Sequence, residues 1–476
     1  MNFNDLINIS EERITEFNNF KKLGLLCLND DFVPAIHYPS ITKYPPISYD
    51  EMFLGYTPPE NKLMDVYIHI PFCSTKCIFC HYPSLYNAHE AEKDKYLDAL
   101  DKEMDIYIRK LGLEKIKLRV ALVGGGTPTN LNPRQLERFL KIFTDKCDLS
   151  SLKQFNFDVS PSNLVGQEGL EKLKIMKDFG VDRLTIGIQS LNENILRQMN
   201  RSHDKAIALK SIKNTLANGY KLNIEFIFGY PNQTLESWYQ DLEEMITLDA
   251  HEIQFYRLKV QAYGDQQGSI KKIKENNPQQ YPSIENVMRM KQMSILYLED
   301  KGFYENLRRV FTKDKSNISL YAYNQCCNLY DQMAFGLTAF SSLRDRFVLN
   351  TQNFNDYYRL INEGKLPYNR GIIRSQEQQE RWALILPLKN YNIRKNVYKE
   401  ATGIDITNTK YYNMLQNLKQ YDFIEENENI IQLTKKGAYY ADEICQLFYL
   451  PEFIPFDKSL YNEGPLNPYT VTHNNV

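Results

Sequence analysis

Short apolar runs recur along the first half of the chain and alternate with longer segments of helical periodicity. The runs are rich in β-branched and aromatic residues and are bounded by polar or glycine-containing stretches, which is typical of buried strands. We therefore predict six strands, at residues 66–70, 118–123, 155–159, 183–188, 222–228 and 253–258.

The segments between these runs carry helix signals. Asn132 stands where an N-cap is favoured, Pro133 suits the first helical position, and Gly180 suits a C-terminal stop. Strands that alternate with helices predict a parallel sheet covered by helices. The chain is thus assigned to the α/β class, as a partial (β/α)6 barrel whose chemistry lies on loops at the C-terminal strand ends. The predicted helices span residues 90–111, 133–144, 170–179 and 234–248.

Other patterns flank the barrel. Prolines between residues 34 and 59 exclude a long helix there, and we expect the N-terminal segment to be irregular. From residue 375 to about 450 the sequence is mainly helical, with a short strand at 430–433, which predicts a winged-helix-like C-terminal domain. The predicted divisions are an N-terminal segment at 1–60, the barrel at 61–265, a barrel extension and substrate region at 266–370, the C-terminal domain at 371–455 and a tail at 456–476.

Composition narrows the function classes. The chain has 476 residues, is 43% hydrophobic and carries a net charge of −2. Because no global basic field exists, nucleic acid and anionic membranes are not expected as partners. The sequence has no apolar stretch of transmembrane length and no signal-peptide pattern at its start, so we expect a cytoplasmic protein, and a monomer.

Three cysteines carry the strongest chemical signal. Cys73, Cys77 and Cys80 follow the first predicted strand with the spacing C-x3-C-x2-C. Three thiolates on one loop can hold three irons of a [4Fe-4S] cube and leave the fourth iron open. Zinc usually takes four ligands in paired spacings, His81 could serve as a fourth only by folding straight back, and a disulfide is not expected in a reducing compartment. The spacing after a strand resembles the radical S-adenosylmethionine (SAM) superfamily.

Polar and glycine residues gather at the ends of the next strands. Gly-Gly-Gly-Thr-Pro-Thr at 124–129 ends the second strand, where backbone can approach a ligand closely. Asp158, Gln189 and Glu225 lie at or near the ends of the third, fourth and fifth strands, and Arg201 follows the fourth. Because the C-terminal ends of parallel strands meet at one mouth, we expect these side chains to bind one ligand there.

These motifs, in this order, resemble the oxygen-independent coproporphyrinogen III oxidase family of radical SAM proteins. The likeness also includes Met-Ala-Phe-Gly-Leu-Thr-Ala-Phe at 333–340 and Leu-Thr-Lys-Lys-Gly at 433–437. It implies that the three cysteines bind the cluster and that SAM binds the open iron. The SAM contacts that the resemblance implies are Tyr67, Phe79, Gly125, Gly126, Thr127, Asp158, Gln189, Arg201, Glu225 and Ile227.

The chain departs from the oxidases where they handle substrate. Tyr82 stands in place of a further cysteine, the last barrel strand ends in Tyr-Arg-Leu-Lys-Val-Gln at 256–261, and Arg308 and Arg309 only loosely replace an arginine-containing segment beyond the barrel. The family also contains class C methylases, cyclopropane-forming enzymes, an anaerobic haem-opening methylase and a haem chaperone. Some of these methylase-type relatives place a second SAM beside the first.

Three functions follow as expectations. The first is a radical SAM enzyme that transfers a methyl or methylene group from a second SAM to an unsaturated small-molecule substrate, with His81 and Tyr82 shaping that site. The second is coproporphyrinogen III decarboxylation, with Arg257, Lys259, Arg308 and Arg309 available for propionates. The third is a non-enzymatic haem chaperone. Either enzyme needs an electron donor such as flavodoxin or ferredoxin.

Overall fold

The computed structural model describes residues 1–26, 37–261, 268–454 and 456–471. Cys27 and most of the predicted barrel boundary near 264–269 lie outside these ranges. None of the helices in the described ranges is long and apolar enough to cross a bilayer.

The N-terminal segment differs from the prediction, because its first part is a regular helix. Asn2 and Asp5 form a capping box, and buried Leu6, Ile14 and Phe17 recur at helical spacing along the helix. The prolines between residues 34 and 59 suggested an irregular structure for the whole segment, although the apolar spacing of residues 3–22 indicates a helix. The helices of the segment are α1 (Phe3–Lys22) and α2 (Tyr49–Phe53).

All six predicted barrel strands are confirmed, and they form a parallel sheet in sequential order. Helices follow the strands and cover the outside, as the alternation predicts. The strands are β1 (Leu63–Ile70), β2 (Phe72–Cys73), β3 (Leu85–Tyr86), β4 (Ile116–Gly125), β5 (Cys147–Asp148), β6 (Gln154–Val159), β7 (Arg183–Gln189), β8 (Lys221–Phe228) and β9 (Glu252–Arg257), of which β2 and β3 form a separate small pair. The helices are α3 (Glu90–Lys110), α4 (Pro133–Lys146), α5 (Gly166–Asp178), α6 (Glu193–Gln198), α7 (Lys205–Ala217) and α8 (Leu235–Met245).

The region after the barrel extends the sheet at both edges. At one edge a strand pairs antiparallel with β9. At the other edge a strand pairs parallel with β1, and three further strands follow it in antiparallel order. The strands are β10 (Tyr304–Leu307), β11 (Val310–Thr312), β12 (Gln332–Phe335), β13 (Phe340–Leu343), β14 (Arg346–Asn350) and β15 (Tyr368–Ile373). The helices are α9 (Ile270–Asn276), α10 (Ile284–Asp300), α11 (Leu320–Tyr323), a π-helical turn at Asn324–Asn328 and α12 (Phe354–Asn362).

The C-terminal domain combines helices with a small antiparallel sheet in the order β16–β18–β17, and the predicted strand at 430–433 is confirmed. Its strands are β16 (Asn392–Arg394), β17 (Ile424–Glu426) and β18 (Ile430–Leu433). The helices are α13 (Gln376–Asn390), α14 (Lys395–Thr402), α15 (Tyr412–Gln420), α16 (Lys435–Ala438), α17 (Ala441–Gln446) and α18 (Pro468–Val471). The described part of the predicted tail packs back on the protein, since Leu466 is buried and its N–H donates to the Leu23 carbonyl at 3.0 Å.

Candidate active site

The three predicted cluster cysteines share one loop after β1. Cys73 ends β2, and Cys77 and Cys80 follow; all three are partly accessible free thiols. Burial raises the pKa of the Cys73 thiol, and raises that of Cys80 to about 11, with neighbouring thiols adding to both effects. The thiols are therefore close electrostatic neighbours in a protected loop.

The donor set fits a cluster better than a single ion. No three His, Cys, Asp or Glu side chains within the described ranges converge as ligands of one metal ion. A cube presents a separate iron to each thiolate, so its ligands need not converge. Arg201 Nη1 donates to Cys77 Sγ at 3.2 Å, which stabilises negative charge on that sulfur.

Both ring nitrogens of His81 are engaged. The Gly268 N–H donates to Nδ1 at 2.9 Å, which leaves Nε2 to donate to the Lys259 carbonyl at 2.8 Å. Burial lowers the pKa of His81, which favours this neutral form. His81 therefore ties the cluster loop to the segment that follows β9, and neither nitrogen is directed to a metal in this arrangement.

This geometry gives the predicted role of His81 a sharper test. We expect His81→Ala to lower cluster retention and thermal stability, because two hydrogen bonds worth about 1 kcal/mol each are lost. His81→Asn is the matched control, since its amide oxygen can still accept from Gly268. Iron content, unfolding temperature and product per cluster should be measured together. Loss of product per cluster while 5′-deoxyadenosine still forms would instead support the predicted role of His81 in shaping the substrate or second-SAM site.

The glycine run at 124–129 lies directly against the cluster loop. A Cβ on Gly126 would sit 2.8 Å from the Phe72 carbonyl oxygen and 3.0 Å from Cys73 Sγ. Gly125 has φ +111°, and a Cβ there would meet the His69 ring at 2.8 Å. Only glycine fits these positions, and the close approach leaves backbone of the run beside the thiols.

Two carboxylates lie near each other in the mouth. Burial and the charge of Glu225 raise the pKa of Asp158 to about 7, and burial also raises the pKa of Glu225. The Tyr256 hydroxyl donates to Glu225 Oε1 at 3.2 Å. Two neighbouring carboxyl groups that resist ionisation together favour a ligand with hydroxyl donors or positive charge.

Gln189 and Arg201 complete this part of the mouth. Gln189 ends β7 with φ +77°, a left-handed conformation that is uncommon for a residue with a side chain. Its buried Oε1 has no hydrogen-bond partner, and neither has the buried Nε of Arg201, whose Nη2 donates to the Gly187 carbonyl. These groups remain available to a ligand.

Apolar and aromatic side chains surround the polar groups. Phe79 packs beside a buried cluster that includes Ile227. The Tyr67 hydroxyl lies 3.1 Å from His69 Nδ1. Tyr82 is 58% exposed, and burial, followed by the charges of Cys80, Asp158 and Glu225, raises its pKa to about 12, so its hydroxyl lies near the thiols and the two carboxyl groups.

Sequence reasoning missed several residues that support this site. Arg183 Nε donates to Glu252 at 2.9 Å and its Nη1 to Asn156 at 3.0 Å, which places a buried cation near the two carboxylates. His69, two residues after Tyr67 on β1, lies beneath Gly125. Strand alternation could have found His69, because residues i and i+2 share a face. The pairing of Arg183 with Glu252 depends on strands distant in sequence.

Cys326 and Cys327 lie in the π-helical turn. Cys327 is buried, Cys326 is partly accessible, and burial raises the pKa of Cys326 to about 11. Within the described ranges no further thiol joins them, so they provide no ligand set for a second cluster.

Comparison with known proteins agrees with this geometry. Residues 67–245 match the model of the Radical SAM superfamily. The chain is 26% identical to the heme chaperone HemW of Bacillus subtilis over 393 residues, which cover 81% of this chain and 99% of HemW. It is 25% identical to the oxygen-independent coproporphyrinogen III oxidase of Escherichia coli over 408 residues, which cover 82% and 86% of the two chains.

The solved structure of coproporphyrinogen III oxidase (HemN) from Escherichia coli shares the fold. Its TM-score is 0.72 at 23% identity, and the match covers 87% of this chain and 96% of that one. The predicted family resemblance and fold class are thereby confirmed. The chain contains a radical SAM domain and is a homologue of the oxygen-independent coproporphyrinogen III oxidases and of HemW.

Proposed function

We propose that this radical SAM enzyme oxidatively decarboxylates a carboxylate-bearing tetrapyrrole of the coproporphyrinogen kind. The observation that carries the proposal is the single mouth in which three thiols, two carboxyl groups and the Gln189 and Arg201 side chains meet. The printed names of the relatives support the substrate class, since both coproporphyrinogen and haem are tetrapyrroles.

When bound, the cluster and SAM supply the one-electron reduction that yields methionine and a 5′-deoxyadenosyl radical. The chain's own residues hold and orient the reactants. Cys73, Cys77 and Cys80 hold the cluster, and backbone of the 124–129 run lies beside it. Asp158 and Glu225 would accept hydrogen bonds from SAM, and Arg201 and Gln189 would supply further polar contacts.

The substrate reaction then balances as follows. SAM cleavage would supply the group that takes one hydrogen atom from a propionate side chain and ends as 5′-deoxyadenosine. Loss of carbon dioxide and one electron from that propionate would leave a vinyl group. That electron requires a one-electron acceptor from outside the chain.

Lys259 supports binding of a carboxylate-bearing substrate. Its carbonyl oxygen accepts from His81, which places it at the rim of the mouth. Burial, with the charge of Lys389, lowers the pKa of Lys259 to about 8, and an anionic group beside the ammonium would raise that pKa again. A propionate would serve that purpose.

Methyl or methylene transfer from a second SAM, the first expectation from the sequence, is the second candidate. The supporting observation is Tyr82, which replaces the oxidases' further cysteine and lies in the mouth near Asp158 and Glu225. The names of the relatives favour coproporphyrinogen oxidation or haem binding over this reaction.

A single experiment separates these functions. Reconstituted protein is incubated without oxygen with dithionite, SAM and coproporphyrinogen III, with and without an added electron acceptor, and products are identified by mass spectrometry. We expect 5′-deoxyadenosine and a loss of carbon dioxide from the substrate. S-adenosylhomocysteine or methylthioadenosine would support the second candidate. Haem retention without SAM cleavage would support a chaperone and contradict an enzyme.

We also propose an acidic one-electron carrier of the flavodoxin or ferredoxin kind as the physiological reductant. Lys76 lies in the exposed part of the cluster loop, and the Ile270 N–H at the start of α9 donates to the Ile78 carbonyl, which places Lys271 and Lys272 beside the loop. These three lysines form no ion pair within the described ranges. Reduced flavodoxin should replace dithionite in the same assay, at a rate that falls with added salt.

A further inference from the structure

The Gln189 side chain occupies a position that glycine at 187 leaves open. A Cβ on Gly187 would lie 2.7 Å from Gln189 Nε2, and 3.8 Å from both Arg201 Nη2 and Glu225 Oε2. The Gln189 amide therefore lies over Gly187, close to the Arg201 cation and the Glu225 carboxyl group. Its Oε1 is buried without a hydrogen-bond partner, so the amide retains an acceptor for a ligand at this end of β7.

The backbone that carries this amide is strained. Gln189 has φ +77°, and the register between β7 and β8 shifts between Gly187 and Gln189. A left-handed residue with a side chain carries a free-energy cost and persists only where the surrounding structure fixes it. Contacts from outside β7 must therefore hold this strand end in place.

Asp241, on helix α8, supplies such contacts directly after Gln189. Its Oδ2 accepts from the Ser190 hydroxyl at 3.0 Å, and its Oδ1 accepts from the Leu191 N–H at 3.3 Å. Asp241 is 4% exposed and Ser190 is fully buried, so water does not compete for these two hydrogen bonds. One carboxyl group from another element thus binds the two residues that follow Gln189 in the chain.

A second buried side chain acts directly before Gln189. His203 Nε2 donates to the Ile188 carbonyl at 3.2 Å, and His203 is 5% exposed. Side chains from other segments therefore bind the backbone on both sides of the left-handed residue. Of these, Asp241 makes the larger contribution, because it binds two donors of the turn.

We propose that Asp241 is a positioning residue that fixes the turn after Gln189 and thereby sets the affinity of the protein for SAM. The carboxyl group holds the turn, the turn holds Gln189 in its left-handed conformation, and Gly187 leaves room for the Gln189 amide beside Arg201 and Glu225. This inference rests on the proposed role of Gln189 in SAM binding and extends it to a residue on an outer helix.

SAM affinity tests this proposal, measured by calorimetry without oxygen on cluster-loaded full-length protein. Asp241→Ala removes both acceptors and should weaken SAM binding about tenfold. Asp241→Asn keeps an oxygen that accepts from the Leu191 N–H and should bind SAM nearly as wild type does. Gly187→Ala displaces the same amide directly and should weaken binding to a similar extent as Asp241→Ala. In SAM cleavage with dithionite, both weakened variants should raise KM for SAM more than they lower kcat.

A double-mutant cycle separates positioning from general destabilisation. If Asp241 acts through the Gln189 amide, Asp241→Ala should cause no further loss of SAM affinity in protein that already carries Gln189→Ala. Thr234→Ala is the stability control, because it removes the N-cap of α8 and should lower the unfolding temperature without changing SAM affinity. Hydrogen exchange of residues 187–191 in the SAM-free protein should increase in Asp241→Ala and stay unchanged in Thr234→Ala.

Ser190→Ala removes only one of the two hydrogen bonds, and it takes the place of Asp241→Ala in the cycle if that variant does not fold. The inference is overturned if the loss of SAM affinity is the same with and without Gln189, or if Asp241→Ala and Gly187→Ala both bind SAM as wild type does. A loss in Gln189→Ala without one in Asp241→Ala would contradict this inference alone. Wild-type affinity in Gln189→Ala would contradict the proposed role of Gln189 itself.

Discussion

Cys77→Ala is expected to abolish both the cluster and all SAM cleavage. Cys77 is the central thiol of the three, and its sulfur accepts from Arg201 Nη1 at 3.2 Å. Alanine removes the ligand of one iron and leaves the Arg201 cation facing a gap in the ligand set. Two thiols cannot hold the cube with one open iron, so the brown absorption and 5′-deoxyadenosine formation should fall below detection.

The measurement is iron and sulfide content together with 5′-deoxyadenosine yield after anaerobic reconstitution. Cys147→Ala is the matched control, because Cys147 is buried at β5, away from the cluster loop, and should retain both signals. Circular dichroism of Cys77→Ala should remain close to wild type, since the loop is only partly buried. Normal iron content in this variant would refute the assignment of the three thiols.

The features that sequence analysis predicted correctly are local ones. The six parallel strands follow from short apolar runs, and the place of the cysteine loop follows from its position after the first of them. Gly125 and Gly126 could be placed beside the cysteine loop because they end the next strand. These predictions require only the hydrophobic periodicity of the sequence and the order of the strands and motifs along the chain.

Contacts between distant segments escaped prediction for a physical reason. His37 meets Phe340, and Tyr256 meets Glu225, because the sheet brings their strands or segments together, and no single window of sequence contains both partners. The prediction missed the helix Phe3–Lys22 for a different reason. Its apolar spacing is visible in the sequence, but later prolines dominated the interpretation of the segment.

Asp158→Asn is expected to weaken SAM binding while stabilising the protein without SAM. A hydrogen bond to a charged group is worth about 1.5–3 kcal/mol, which corresponds to roughly a 10- to 100-fold loss of affinity. Isothermal calorimetry on cluster-loaded protein measures this loss. Asp182→Asn is the control, because Asp182 lies before β7 at the opposite strand end, where its Oδ1 accepts from the Phe155 N–H at 2.6 Å.

The stability effect has a definite pH dependence. The folded pKa of Asp158, about 7, lies above its unfolded value of 3.8, so the native state holds the proton more tightly and loses stability as pH rises from about 4 to 7. Asparagine mimics the protonated carboxyl. The free energy of unfolding of Asp158→Asn should therefore match that of wild type near pH 4 and exceed it at pH 8, by on the order of 2 kcal/mol because Glu225 shares the shift. An unchanged SAM affinity would exclude Asp158 from the pocket. Equal free energies of unfolding for the variant and wild type at pH 8 would mean that the ionised Asp158 carboxylate does not destabilise the SAM-free protein.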